Sequence, residues 1–367
     1  MAASIFVAGT GQHSGKTLLS LGLVASLTHR GYHVHYMKPV GQRAVKVGAD
    51  IVDEDVALIN EVFDLRTPPK AGNPITIPSG YTRQFLLGAA HTEPLMDDIR
   101  DAYQVIAAGA DIVVVEGTGH AGVGSVLGLD NARVARELSC KVLIVTGGGI
   151  GRPIDDFSLN SRGFAAEGVE VLGVVSNKVQ ESKLDYVSEP LRLWFQRREV
   201  KLLGIIPYRP ALAEITLGQI VSEIGAEVIS GRQRLDTNIR ESIIGAASPH
   251  RLIDLLQPGV LVIMPGDRDD LVLAAFSSYA GVGDEPQAGP AVCLTSGLLP
   301  SENILRIIRA SQMPVIASAE GTFRLTSRIS DLVAKIMPED EKKLQMAEEL
   351  VVTNVDIEAI EQAIFAD

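Results

Sequence analysis

Gly9-Thr10-Gly11-Gln12-His13-Ser14-Gly15-Lys16-Thr17 is the stretch whose reading decides the fold. The apolar run Ile5-Phe6-Val7-Ala8 precedes it and reads as a buried strand. Leu18 to Leu27 follows, apolar and free of proline, and reads as a helix. Strand, glycine-rich loop, Gly-Lys-Thr and helix, in that order, form a phosphate-binding loop in its required context. Glycines allow backbone N–H groups to turn inward around an anion, and the helix N-terminus adds partial positive charge. Lys16 has the reach for terminal phosphates, and the Thr17 hydroxyl can ligate Mg²⁺. Counted from Gly9, the loop carries one residue more than the common form.

Working outward, a chain of 367 residues with 46% hydrophobic and 21% charged residues has material for packed cores and suggests two domains. A positive mean hydropathy excludes a disordered chain. No apolar run approaches the roughly 18 residues of a membrane span. No charged leader with a cleavage site precedes the first strand, so no signal peptide is expected. The formal net charge of −12 argues against a nucleic-acid surface. Cys140 and Cys293 sit in apolar, strand-like surroundings and read as reduced core residues, which fits a cytoplasmic location.

Strands and helices alternate along the first half. His33 to Met37 reads as a second strand with Lys38-Pro39-Val40 at its end, and Asp50 to Val62 as a helix opening with acids. Asp111 to Val115 reads as a strand ending in Glu116-Gly117, Lys141 to Val145 as one ending in Thr146, Val171 to Val175 as one leading to Asn177, and Leu202 to Ile206 as one closed by Pro207. Apolar runs separated by helices predict an α/β fold, a parallel sheet with helices on both faces. In such sheets ligands lie at the carboxyl ends of strands, where Lys38, Glu116, Thr146 and Asn177 fall. The expected divisions are a phosphate-loop domain over residues 1–210, a smaller αβ domain over 211–335, and a helical tail over 336–367. The second part includes a loop over residues 281–289, read as flexible and acidic. In the tail Leu344, Ala347, Leu350 and Val351 recur at helical spacing, an apolar face that needs cover from its own chain or from a second subunit.

The loop Gly9 to Thr17, Lys38-Pro39-Val40, Asp55-Val56-Ala57-Leu58 and Val115-Glu116-Gly117-Thr118-Gly119 together resemble dethiobiotin synthetase over roughly the first 210 residues. That resemblance implies ATP and Mg²⁺. Gly9, Gly11, Gln12, His13, Ser14, Gly15, Lys16 and Thr17 would cradle the phosphates, although His13 also reads as a plain solvent-facing loop residue. Thr17, Asp55 and Glu116 would hold Mg²⁺; for Asp55, partnering the helix dipole is a bland alternative. Lys38 would stabilise a transferred phosphoryl group, and Asn177 with a turn from Gly204 to Pro207 would hold the adenine. The second half resembles the DRTGG domain, whose signature falls on Pro265-Gly266-Asp267-Arg268-Asp269-Asp270 with acids in place of the glycines. Asp267 and Arg268 are then candidates for an effector site, or for pairing with each other across a turn.

This pairing of domains resembles the N-terminal half of long bacterial phosphotransacetylases, without their acetyl-transfer domain, so acetyltransferase activity is not expected from these residues alone. Two readings follow. One is a nucleotide-dependent regulatory or sensing module with low or partner-dependent ATPase activity, responding to an unidentified small molecule. The other is an ATP-dependent ligase of the dethiobiotin or cobyrinic acid amidating type acting on a carboxylate. A glutamine-hydrolysing version needs a nucleophilic Cys followed by a His in its amidotransferase domain; it is disfavoured, because every histidine, from His13 to His250, precedes Cys293 and no glycine-flanked nucleophile turn is visible. The resemblance also implies a homodimer. No nucleic-acid or membrane partner is expected.

Overall fold

Ala3–Gly9 (β1) carries a continuous run from Ile5 to Gly9 buried on both faces, as a central parallel strand requires. The computed structural model describes residues 2–78, 80–88, 90–281, 289–332 and 334–366. The loop read as flexible over 281–289 lies almost wholly outside them. The chain folds as two compact units, Met1–Arg209 together with Ile336–Asp367, and Pro210–Lys335. Among the described residues no helix is long and apolar enough to cross a membrane.

In the first unit the main elements after β1 are Lys16–His29 (α1), Val34–Met37 (β2), Glu54–Phe63 (α2), Thr92–Ala107 (α3), Ile112–Glu116 (β3), Asn131–Glu137 (α4), Lys141–Thr146 (β4), Gly151–Ala166 (α5), Val171–Val179 (β5), Leu184–Gln196 (α6) and Leu202–Pro207 (β6). The six strands form one sheet in the order β6-β5-β4-β1-β3-β2, every neighbouring pair parallel. β1 therefore lies in the middle, between β3 and β4. Its register sets Val7 level with Glu116 and Gly9 level with Val145, which brings the carboxyl ends of the three strands to one edge.

The acid-rich stretch expected to be helical from Asp50 divides in two. Asp50–Asp53 pairs antiparallel with Ala44–Val47 around a turn where Gly48 has φ 61°, and the helix begins only at Glu54. Asp53 is the physical reason: its carboxylate accepts the backbone N–H of Asp55, so it caps the helix instead of lying inside it.

The tail is helical, as its periodicity indicates. It forms two helices, Glu341–Asn354 and Ile357–Phe365, that pack within the first unit. Ala347, Leu350 and Val351 are buried, and a side chain at Gly22 of α1 would collide with Val351. Between the two helices Val355 bridges to Gly204 of β6, and Asp356 N–H donates to Leu203 O at 2.7 Å. Tyr32 and Arg30 both bind Glu361. The apolar face that called for cover is thus covered by its own chain.

In the second unit Glu227–Ser230 (β7), Glu241–Ile244 (β8), Val260–Pro265 (β9), Ala291–Thr295 (β10) and Val315–Ala317 (β11) form a sheet in the order β7-β11-β10-β9-β8. Only β7 is antiparallel to its neighbour. Val260, Val262 and Met264 of β9 face one buried cluster while Leu261 and Ile263 face another, so helices cover both sides.

Candidate functional site

The loop after β1 is shaped by residues whose backbone lies in the left-handed region. His13 has φ 57° and Gly15 φ 100°, immediately before α1. A side chain at Gly15 would overlap the Asn177 amide, and one at Gly9 would strike Ser14 Oγ. Lys16 is buried, and its Nζ donates to Gly11 O at 3.3 Å, inside the loop. Ser14 Oγ is buried with no hydrogen-bond partner among the described residues, an orphan polar atom within a loop built for anions. Among those residues, none accepts a hydrogen bond from the backbone N–H of Gln12, His13, Ser14 or Gly15.

Two carboxylate clusters stand next to this loop. Glu116, 1% exposed at the end of β3, accepts Thr17 Oγ1 at 3.0 Å, Ser20 Oγ at 2.8 Å and Tyr36 OH at 2.9 Å. Burial and the Asp55 charge raise its pKa, while Lys38 and Lys16 pull the other way. Lys38, directly after β2, is clasped by Asp53 at 2.7 Å and by Asp55. Burial opposes the charge on Lys38, but Asp55, Glu116 and Asp53 outweigh it and hold its pKa above the usual lysine range. Lys16 has no such clasp, so burial lowers its pKa, with Glu116 opposing. The expected residues Lys16, Thr17, Lys38, Asp55 and Glu116 are therefore brought together. Asp55 is occupied by Lys38, and Thr17 by Glu116.

Among the described residues no group of three or more His, Cys, Asp or Glu forms a ready metal cage. Mg²⁺ does not need one, since it keeps waters and takes one or two carboxylates plus phosphate oxygens. Thr17 and Glu116, already in contact, fit that requirement.

A family profile described as an AAA domain matches residues 3–216, more than half of the chain. The chain belongs to this AAA-domain family. A DRTGG domain profile matches residues 219–332. The phosphate acetyltransferase of Nitrosomonas europaea is 26% identical over 365 residues, covering 96% of this chain and 50% of its own length. That of Pseudomonas aeruginosa is 27% identical over 379 residues, covering 98% and 52%. The chain spans about half the length of the curated relatives it matches. Among solved structures, a MinC:MinD cell division protein complex from Aquifex aeolicus shares 15% identity over 57% of this chain and 84% of that one, with a TM-score of 0.38.

Within the AAA domain, several neighbours of the loop and of Glu116 escaped the sequence reading. Ser20 lies one turn beyond Lys16 on α1, a spacing that would have placed it on the same face. Tyr36 and Asp53 gave no comparable signal. Asn177, expected at the adenine, is 4% exposed and donates from Nδ2 to Ser14 O at 2.9 Å, beneath the phosphate loop. Lys178, not singled out at all, donates from Nζ to His13 O at 2.8 Å. Gly204 to Pro207 is the end of strand β6 and not a turn, and Gly204 is occupied by Val355. In the DRTGG domain Arg268 does not pair with Asp267. Its guanidinium grips Asp270 at two points, each 2.9 Å, and Asp269 accepts the Ser301 N–H. One of the acids that replace the signature glycines, Asp270, thus occupies the arginine of the expected effector site.

Proposed function

We propose that this chain binds ATP with Mg²⁺ at the loop Gly9 to Thr17 and serves as a cytoplasmic nucleotide-sensing or regulatory module, homodimeric, with low or partner-dependent ATPase activity. One observation carries the reading: Lys16 and Thr17 open α1 with Thr17 already bonded to a buried carboxylate at the end of the neighbouring strand. Backbone N–H groups and Lys16 would neutralise the phosphates, while Thr17 and Glu116 would hold the metal. Bound Mg²⁺ would supply charge neutralisation between phosphate oxygens. Lys38, held between Asp53 and Asp55, would stay charged beside the terminal phosphate.

The regulatory reading is favoured over the ligase because the resemblance to phosphate acetyltransferases extends over nearly the whole chain, the DRTGG domain included. The effector, on this reading, is a small molecule other than the nucleotide. Calorimetry with Mg-ATP tests the binding. Lys16→Ala should weaken affinity by roughly 10- to 100-fold, the loss of one or two charge-assisted hydrogen bonds. Equal affinities would remove the assignment. Phosphate release measured with and without candidate carboxylates separates sensor from ligase.

A further inference from the structure

Two neighbouring residues at the end of β5 grip two neighbouring carbonyls of the phosphate loop. Lys178 Nζ donates to His13 O at 2.8 Å, and Asn177 Nδ2 donates to Ser14 O at 2.9 Å. The Asn177 side chain is itself fixed, because its Oδ1 accepts the Lys178 N–H at 2.8 Å. Lys178 adopts φ 61°, a left-handed conformation uncommon for a lysine, and its carbonyl lies so close to Gly148 that a side chain there would collide with it.

The peptide group is planar, and none in the described chain is cis. Each C=O therefore points opposite to the N–H of the next residue. Pulling His13 O toward β5 turns the Ser14 N–H away from β5. Pulling Ser14 O the same way does this to the Gly15 N–H. The left-handed residues His13 and Gly15 flank these units, the backbone pattern of an anion-binding concavity. The two N–H groups so directed are among those without an acceptor.

We propose that Asn177 and Lys178 are positioning residues: a two-point clamp that preorganises the N–H groups of Ser14 and Gly15 for a polyphosphate, with Asn177 acting on the phosphates and not on the base. This rests on the nucleotide reading above and changes the role that resemblance gave Asn177. Sequence Asn-Lys after a strand carries no such signal, because the contacts join residues 163 and 165 positions apart.

The test compares two ligands by calorimetry with Mg²⁺: ATP and inorganic tripolyphosphate, which has no base. Asn177→Ala and Lys178→Ala should each weaken both ligands about tenfold, the worth of one hydrogen bond that fixes a donor. Lys178→Arg, which keeps a donor, should restore both. Should buried Asn177→Ala fail to fold, judged by melting without ligand, the exposed Lys178 carries the test. Asn177→Ala that loses ATP but keeps tripolyphosphate shows a base-reading residue and overturns the clamp, as do variants that bind both ligands normally. Wild-type protein that binds neither ligand overturns the nucleotide reading and the clamp with it.

Discussion

Glu116 gathers three hydroxyl donors and two lysines' fields around a carboxylate nearly sealed from water. Its raised pKa means that the folded protein keeps a proton which the unfolded chain has already released. Stability then falls as pH climbs from the ordinary carboxyl value, about 4.3, through the raised one; below both the cost vanishes. Glu116→Gln removes this dependence. The variant's melting temperature, relative to wild type, should rise across that window, and calorimetry at stepped pH measures it. A constant difference would place Glu116 outside the proton balance. The same substitution should flatten the Mg²⁺ dependence of ATP binding. The placement of Lys16 and Thr17 at the start of α1, and of Glu116 at a strand end, was legible because it follows from local sequence pattern. Asp53 and Lys178 were not, since each acts on a partner that only the tertiary fold brings close.

At the scale of elements, the parallel sheet was readable because continuous apolar runs alternate with helices. What failed was short or long-range. The hairpin from Ala44 to Asp53 has two four-residue strands, and all of Ala44–Val47 is exposed, which leaves little apolar period to read. β7 is an edge strand whose pairing partner lies far along the chain. The tail's apolar periodicity was visible, but not what covers it: α1, through Gly22. Gly22→Ala tests that packing. Alanine would add up to about 1 kcal/mol of helix propensity, but forcing a methyl against Val351 costs about 1–3 kcal/mol, so net destabilisation is expected. The C-terminal helices should also become sensitive to protease near residue 337. A stabilised variant would show that the helices yield easily.

For the whole molecule, burial of the tail's apolar face removes one argument for a subunit contact, and the homodimer rests on the family resemblance. Light scattering at micromolar concentration should give twice the 39.1 kDa chain mass; a mass of 39.1 kDa with and without ATP would show a monomer. Assembly and nucleotide binding are separable in this experiment, because tripolyphosphate or ATP titration reads the loop whatever the mass.

The bridge between Gly204 and Val355 has a consequence for biosynthesis. The chain leaves the first unit at Arg209 and re-enters it at Ile336, with the whole second unit translated in between. At about 5–20 residues per second, a ribosome needs roughly 6–25 s to make that stretch. Throughout that interval the outer edge of β6 and the groove at Gly22 stay uncovered on the nascent chain. The first unit is therefore completed only after the second has been made, and the growing polypeptide presents an open sheet edge to chaperones for longer than either unit alone would.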